Sequence, residues 1–235
     1  MKHDNSSQSL LDELIKHKEP GQLLFPSEYF DIGSPEAIHM AFSRSVRQNM
    51  LIRLGKGIYL KPKIDPQLGQ LYPSLEEIAR KIAEKEKVVI RPTGSYALNK
   101  LGLSTQVPTK VVFLTNGSPR TIRIGKGTIT FKSTTPKKLS AKSDTVFLAI
   151  QALIELGEKG TTDKIIESLC TTLKREGPVA IREDARSAPN HVAQTLYLIA
   201  DKLENNDRVS SITRKPASPD HRTGQRPDGY EPKSR

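Results

Sequence analysis

Apolar and polar positions repeat with helical spacing in two segments near the start of the chain. Between Ser9 and Lys18 the apolar residues form one stripe, which predicts a helix capped by Ser9. The second segment opens with Ser34-Pro35-Glu36: a cap residue, a proline at the first helical position and an acid in the first turn. It predicts a helix to about Asn49, and a shorter helix is expected between the two at 26–30.

Directly after this capped helix the pattern changes to that of a hairpin. Leu51–Leu54 and Ile58–Lys61 are predicted strands, joined by the turn Gly55-Lys56-Gly57. A helix, a short helix, a capped helix and a basic hairpin follow one another in the winged helix-turn-helix, whose later helix lies in the major groove of DNA. We therefore predict an α+β fold that begins with a winged helix-turn-helix domain at 1–62.

The capped helix and the hairpin carry residues with suitable chemistry for contacts to DNA. From Ser34 to Lys63 there are six Lys or Arg residues against one Glu. The polar helix face is expected to read bases, and the hairpin to reach phosphates or the minor groove. The predicted DNA-binding residues are Ser34, His39, Ser43, Arg44, Arg47, Arg53 and Lys56. The alternative is a solvated face on a domain that mediates protein contacts.

Beyond the hairpin the pattern predicts a second, mixed α/β domain and a tail. A helix is expected from Ser74 to about Glu86, then a strand at 88–90 and a turn at 91–94. Further helices and strands are expected at 96–101, 111–115, 121–124, 128–132, 145–156, 161–173 and 192–203. The predicted organisation is a first domain at 1–62, a linker at 63–73, a second domain at 74–209 and a disordered tail at 210–235.

The net charge of +11 is concentrated in one part of the chain. Residues 87–143, called here the acid-free segment, contain eleven Lys or Arg residues and no Asp or Glu. Such a segment attracts polyanions. Its predicted basic partner or polyanion surface consists of Arg91, Lys100, Arg120, Arg123, Lys126 and Lys132. A second contact with the DNA backbone, an acidic partner, that partner's RNA substrate and a merely solvated surface all stay open.

The sequence lacks the residue patterns of several kinds of catalytic site. No Gly-rich phosphate loop leads into Lys-Ser or Lys-Thr, and the five histidines never have metal-ligand spacing. Gly94-Ser95 and Gly117-Ser118 look like the Gly-Ser turn of a nucleotidyltransferase, but the next carboxylate is Asp144, so the paired metal-binding carboxylates are missing. The charged cluster at 182–186 is predicted to be a solvated loop. We expect no enzyme activity, no catalytic residue, no metal and no cofactor.

The cellular context also follows from composition. No run of about 18 apolar residues exists, so no membrane span or membrane partner is expected. Residues 1–8 lack the apolar stretch of a secretory signal. The single cysteine, Cys170, cannot form an internal disulfide framework and falls in a predicted amphipathic helix, where a buried thiol is the expected state. A reducing, cytoplasmic location is predicted.

Two stretches of the chain resemble the AbiEi-like antitoxins of bacterial AbiE-type toxin–antitoxin and phage-defence operons. The first runs from Ser34 to the hairpin residue Tyr59, and the second from Arg91-Pro92-Thr93-Gly94-Ser95-Tyr96 through Leu101-Gly102-Leu103 and the strands up to Lys132. The resemblance covers roughly residues 20–160. It implies an operon repressor that binds operator DNA and whose second, antitoxin-like domain opposes a nucleotidyltransferase toxin. Dimerisation on DNA and direct contact with the toxin are left open.

A second interpretation belongs to a different class of protein. Here the winged helix is only a docking module of an RNA-associated or protein-interaction factor. A gel shift with the gene's own upstream DNA separates the two interpretations, because only the repressor requires binding to that DNA.

Overall fold

Helices and short strands alternate in the computed structural model, which describes residues 4–139 and 141–213. The helices are α1 (Asp4–Lys16), α2 (Pro35–Arg47), α3 (Leu75–Glu86), α4 (Ser95–Lys100), α5 (Pro136–Leu139), α6 (Asp144–Gly160), α7 (Asp163–Leu173), α8 (Pro178–Ala185) and α9 (Asn190–Thr213). The strands are β1 (Leu23–Leu24), β2 (Ile52–Gly55), β3 (Ile58–Leu60), β4 (Ile64–Asp65), β5 (Gly69–Gln70), β6 (Ile90–Thr93), β7 (Lys110–Thr115), β8 (Arg120–Ile124) and β9 (Gly127–Ser133). The mixed content confirms the predicted α+β class.

Helices α1 and α2 pack with a small antiparallel sheet at the N-terminal end. The sheet has the order β1-β3-β2, and a 3-10 helix at Pro26–Tyr29 follows β1. Phe42 of α2 occupies the centre of this unit, with its ring centroid 5.5 Å from that of Tyr29 and 4.8 Å from that of Tyr59. The fully or nearly fully buried residues around it are Leu11, Ile15, Leu24, Ile38, Ala41 and Leu51.

The local signals for α2 act as predicted, whereas those for α1 do not. The Ser34 hydroxyl accepts a hydrogen bond from the amide of Ala37 at 3.3 Å, and Pro35 occupies the first helical position. Helix α1 begins at Asp4 rather than at Ser9, so Ser9 lies within the helix and does not cap it.

The predicted linker at 63–73 is a folded hairpin. Strands β4 and β5 pair antiparallel, and the Asp65 carboxylate accepts hydrogen bonds from the amides of Gln67 and Leu68 at 2.8 and 2.9 Å. These bonds close the turn in the way that an aspartate at the start of a turn favours. Strands of two residues are too short to show an alternating pattern, which is why the sequence did not reveal them.

The second sheet has the strand order β6-β7-β9-β8. Strands β7 and β9 are parallel, and the two outer strands are antiparallel to their neighbours. The predicted turn at 91–94 is wrong, because Arg91, Pro92 and Thr93 belong to β6. Since β6 is an edge strand, the missing amide of Pro92 does not interrupt the sheet.

The hydrophobic core under this sheet crosses the predicted domain boundary. Helix α3, capped by Ser74, contributes Ile78, Ala79 and Ile82 to the core. Phe25 and Ile58, from the N-terminal unit, are buried in the same cluster. From the sheet itself come Val111, Phe113, Ile124, Ile129 and Phe131. Residues on both sides of the predicted linker therefore share one core.

Helices α6 to α9 form a third cluster at the C-terminal end. The charged segment at 182–186, predicted as a solvated loop, lies mostly in α8, and Asp184 is only 6% exposed. The Asp184 carboxylate accepts hydrogen bonds from the amides of Lys142 and Ser143 at 3.0 and 3.1 Å. A buried carboxylate is stable there because these donors and the start of α6 compensate its charge.

The sequence predicts a disordered tail from Ser210 to the end of the chain. Helix α9 extends to Thr213, so residues 210–213 are helical. The remainder of the predicted tail, 214–235, lies outside the described residues. Within the described part of the chain, no helix is long and apolar enough to cross a membrane.

Candidate nucleic-acid interface

Four of the predicted DNA-binding residues lie together on the outer side of α2. With Met40 they line a shallow cleft of about 300 Å³, and they are His39, Ser43, Arg44 and Arg47. Their direction is set by the opposite side of the helix, where Ile38, Ala41 and Phe42 are buried in the core. The helical spacing of the apolar residues therefore predicts this face correctly.

The cleft contains local polar contacts. The Ser43 hydroxyl donates a hydrogen bond to the His39 carbonyl oxygen at 2.9 Å, a contact that leaves the hydroxyl oxygen able to accept another. The His39 ring meets Phe30 edge to face, with 5.8 Å between the centroids. Phe30 and Met40 remain 40% and 51% exposed, so the polar face has apolar groups at its border.

The cations of α2 and the hairpin are not neutralised. Arg44 and Arg47 of α2, Arg53 of β2 and Lys56 of the hairpin turn form no ion pair with any residue in the described ranges 4–139 and 141–213. Glu36, in the first turn of α2, is exposed and pairs with none of them. This surface therefore attracts anions.

Ser34 and Arg53, two of the three predicted residues outside the cleft, are placed differently. Ser34 caps α2, so its hydroxyl is partly occupied by the helix itself. Arg53 is exposed and lies directly opposite Tyr59 in the strand pair. Residues in register share a face of a sheet, and Tyr59 packs against Phe42 of α2. Arg53 is therefore on the α2 side of the hairpin, although it does not line the cleft.

A larger groove of about 540 Å³ lies between this unit and the second sheet. His39 and Lys56 line it from one side, and Lys85 of α3 and Arg123 of β8 line it from the other. Lys85 could not be included from the sequence, because its position depends on how α3 packs between the two sheets. Its ammonium group lies 4.8 Å from the centre of the Phe25 ring.

The prediction that Arg91 belongs to a free basic surface is wrong. Its side chain is only 17% exposed, and its guanidinium donates to the Ala141 carbonyl oxygen at 2.9 Å. It also lies 3.2 Å from the Asp144 carboxylate and 4.8 Å from the centre of the Phe147 ring. Arg91 thus connects β6 to the start of α6 instead of facing a partner.

Lys100 is likewise occupied by an internal carboxylate. Its ammonium lies 2.8 Å from Glu76, which also accepts hydrogen bonds from the Tyr96 hydroxyl and the Arg80 guanidinium. Burial alone would raise the pKa of Glu76, but the bonds from Lys100, Tyr96 and Arg80 outweigh it and lower that pKa to about 2. Burial and the neighbouring Glu76 raise the pKa of Tyr96. The network ties α3 to α4.

Arg120 also has a carboxylate partner. Its guanidinium lies 2.6 Å from Glu86 of α3 and 5.2 Å from the centre of the Phe131 ring. Both side chains of the pair are 34% exposed. Arg120 lines the groove, but its charge is compensated there.

The last three residues of the predicted basic surface are exposed. Arg123, Lys126 and Lys132 form no ion pair within the part of the chain that the structure describes. Arg123 points away from the core that holds Ile124, as the alternation of a strand predicts. Lys126 lies in the turn between β8 and β9, and Lys132 lies on β9 outside the groove.

Metal and thiol chemistry require particular groups of side chains. Among the described residues, no three His, Cys, Asp or Glu side chains come together in a group that could hold a metal ion. Cys170 is partly buried in α7, and burial raises the pKa of its thiol. A raised thiol pKa lowers the fraction of reactive thiolate. The charged groups that line the cleft and the groove are mainly cations, which can bind anions.

Residues 10–181 match a family of unknown function, DUF6088. The chain belongs to this family. The DUF6088 match includes the α2 cleft, the hairpin, the groove and the second sheet, so all residues of the candidate interface lie within it. No curated protein matches the sequence.

Proposed function

We propose that this DUF6088 chain is a DNA-binding antitoxin that represses its own operon and counteracts a nucleotidyltransferase toxin. The observation that carries the DNA-binding part is the unpaired basic face of α2 beside the hairpin. Arg44, Arg47 and Lys56 have no carboxylate partner in the described ranges, and DNA phosphates would supply the missing anions. A cytoplasmic location is part of the proposal.

The order of the N-terminal elements supports a winged helix-turn-helix. Helix α1, strand β1, the 3-10 helix, α2 and the hairpin β2–β3 follow one another, and β1 pairs with β3. In that arrangement the later helix enters the major groove and the hairpin lies beside it. The helix before α2 is a single 3-10 turn, so α2 and the hairpin would make most of the contacts.

The residues of the α2 cleft suit the reading of bases. An arginine can donate two hydrogen bonds to guanine, and a serine hydroxyl or a histidine nitrogen can donate or accept one. Arg47, Ser43 and His39 supply these groups from one exposed helix face. Arg53 and Lys56 are then placed for the sugar–phosphate backbone, where a point charge is sufficient.

The antitoxin part of the proposal rests on the resemblance to the AbiEi-like family. That resemblance runs through α2 and the hairpin and continues through β6, α4 and the sheet strands. In this scheme the partner carries the transferase chemistry, and this chain acts by binding. The family match assigns no function that bears on this point.

The decisive experiment compares Arg47→Ala with the wild-type chain on the gene's upstream DNA and on random duplex. Loss of a base contact costs about 1–3 kcal/mol, so binding to the upstream site should fall about five- to 150-fold, and binding to random DNA should fall much less. Arg175→Ala is the matched control, because Arg175 is exposed and outside the interface. Equal losses on both duplexes would make Arg47 a phosphate contact, and no binding by the wild-type chain would refute the proposal.

A growth assay tests the antitoxin part separately. If a nucleotidyltransferase is encoded next to this gene, cells that express it should grow when the wild-type chain is also expressed. DNA binding without rescue leaves a repressor that is not an antitoxin. Tight binding to RNA, with no binding to the upstream duplex, would favour the RNA-associated alternative.

A further inference from the structure

We infer that the DNA-contacting surface continues across the groove onto the second sheet, with Arg123 of β8 as a further phosphate contact. This inference rests on the proposed function and extends it. It assigns a partner, the backbone of the same duplex, to one residue of the acid-free segment. Arg123 is suited to this contact by its position, by its charge and by the fixed backbone that carries it.

The position of Arg123 relative to the α2 cleft supports this contact. The groove and the α2 cleft share His39, so a ligand that runs along α2 passes directly into the groove. Lys56 lies on the near side of the groove and Arg123 on the far side. A duplex seated on α2 and the hairpin therefore brings its backbone beside β8.

The charges in the groove favour an anion over a neutral ligand. Lys56, Lys85, Arg120 and Arg123 line it, and among the described residues the lining contains a single carboxylate, that of Glu86. Glu86 is already paired with Arg120 at 2.6 Å. In the part of the chain that the structure describes, Lys56 and Arg123 have no carboxylate partner, so each can bind a phosphate of the DNA backbone.

The two sides of the groove are held in a fixed relation. A β-carbon added at Gly55 of the hairpin would lie 2.8 Å from the Arg123 carbonyl oxygen, so the two backbones are in close contact. Ile58 of the hairpin and Ile124 of β8 are buried in the same core. The backbones that carry Lys56 and Arg123 are therefore held in place before any ligand arrives, which lowers the cost of binding across the groove.

The test measures DNA binding by Arg123→Ala as a function of salt, with Arg175→Ala as the control. Loss of one phosphate contact should reduce the slope of log affinity against log salt by about 0.9. The ratio of the wild-type affinity to the variant affinity should then fall about threefold between 50 and 200 mM salt. The affinity for the upstream duplex and the affinity for random duplex should fall by the same factor, because phosphates carry no sequence information.

A conservative variant separates charge from packing. Arg123→Lys keeps a point charge and should retain the wild-type slope. The contact with Gly55 uses the Arg123 carbonyl oxygen, which every variant keeps, so circular dichroism should show an unchanged fold.

Three results would overturn the inference, and they differ from one another. If Arg123→Ala keeps the wild-type affinity and salt slope while Arg47→Ala binds DNA more weakly, then DNA contacts only the N-terminal unit. If Arg123→Ala binds DNA normally but no longer rescues cells from the toxin, then β8 contacts a protein partner instead of DNA. If the wild-type chain itself binds no duplex, the proposed function fails together with this inference.

Discussion

The α2–hairpin face and the acid-free segment are the two basic regions of the molecule, and their cations have different neighbours. On the first, the cations have no carboxylate partner in the described ranges; they are Arg44, Arg47, Arg53 and Lys56. In the second, at least four cations are paired with carboxylates; they are Arg91, Lys100, Arg120 and Lys142. Basic residues in the sequence thus remain unpaired on the first region, whereas in the second region several of them are consumed by ion pairs.

The paired carboxylates come from outside the acid-free segment. Glu86 directly precedes it and binds Arg120, whereas Asp144 directly follows it and binds Arg91. Glu76 and Glu183 come from α3 and α8. A count of acids along the chain cannot reveal such pairs, because an ion pair depends on distance in space. The α2 face differs because its helix presents one polar side outward and one apolar side to the core.

The largest effect is expected from breaking the core that joins the two regions. Ile58 is 3% exposed and is buried beside the residues of the second sheet. Ile58→Ala should lower the free energy of unfolding by about 2–5 kcal/mol, since it removes buried methyl groups and leaves a cavity. Urea denaturation followed by circular dichroism measures the loss.

Ile64→Ala is the matched control for that experiment, because Ile64 is 75% exposed. Its effect should stay within about 0.5 kcal/mol. A similarly small effect for Ile58→Ala, or two separate unfolding transitions in the wild-type chain, would show that the hairpin and the second sheet fold independently.

Elements with strong local signals could be predicted from the sequence. The cap and stripe of α2 and the cap of α3 occur as expected, and β7, β8 and β9 lie within about one residue of their predicted bounds. Where a predicted element is wrong or absent, the cause is local. Strands β4 and β5 are too short for a pattern, and Pro92 suggested a turn although an edge strand tolerates it.

The candidate site could be predicted only as far as it depends on one helix. Helical periodicity places His39, Ser43, Arg44 and Arg47 on one exposed face, as observed. The groove requires α3 and β8 to meet the hairpin, and no pattern within a single element contains that information. Buried Asp184 is a similar case, because the amides that it binds are more than forty residues earlier in the chain.

An intermediate effect is expected when the carboxylate of Glu76 is removed or protonated. Its pKa is about 2 in the folded chain against an ordinary value of 4.5, so the stabilisation is complete above pH 4.5 and disappears as the pH falls towards 2. Glu76→Gln should lower the free energy of unfolding at pH 7 by on the order of 1–3 kcal/mol, reduced by partial exposure. Unfolding measured from pH 7 to pH 2 should show the two proteins converging.

Glu84→Gln provides the comparison, since Glu84 forms an ion pair with Lys81 but is 69% exposed. Its effect should be small at every pH. If the difference between wild type and Glu76→Gln stays constant below pH 4, the network around Glu76 does not depend on its charge.

The smallest effect is expected from Lys100→Ala on DNA binding. Lys100 belongs to the acid-free segment, but its ammonium lies 2.8 Å from Glu76, and it does not line the groove. The affinity for the upstream duplex should stay within about twofold of wild type, which corresponds to the usual range for surface substitutions. The salt slope should not change, whereas Arg123→Ala should reduce it by about 0.9. The same reduction in Lys100→Ala would mean that this lysine leaves Glu76 to bind a phosphate, and the distinction between paired and unpaired cations would then fail.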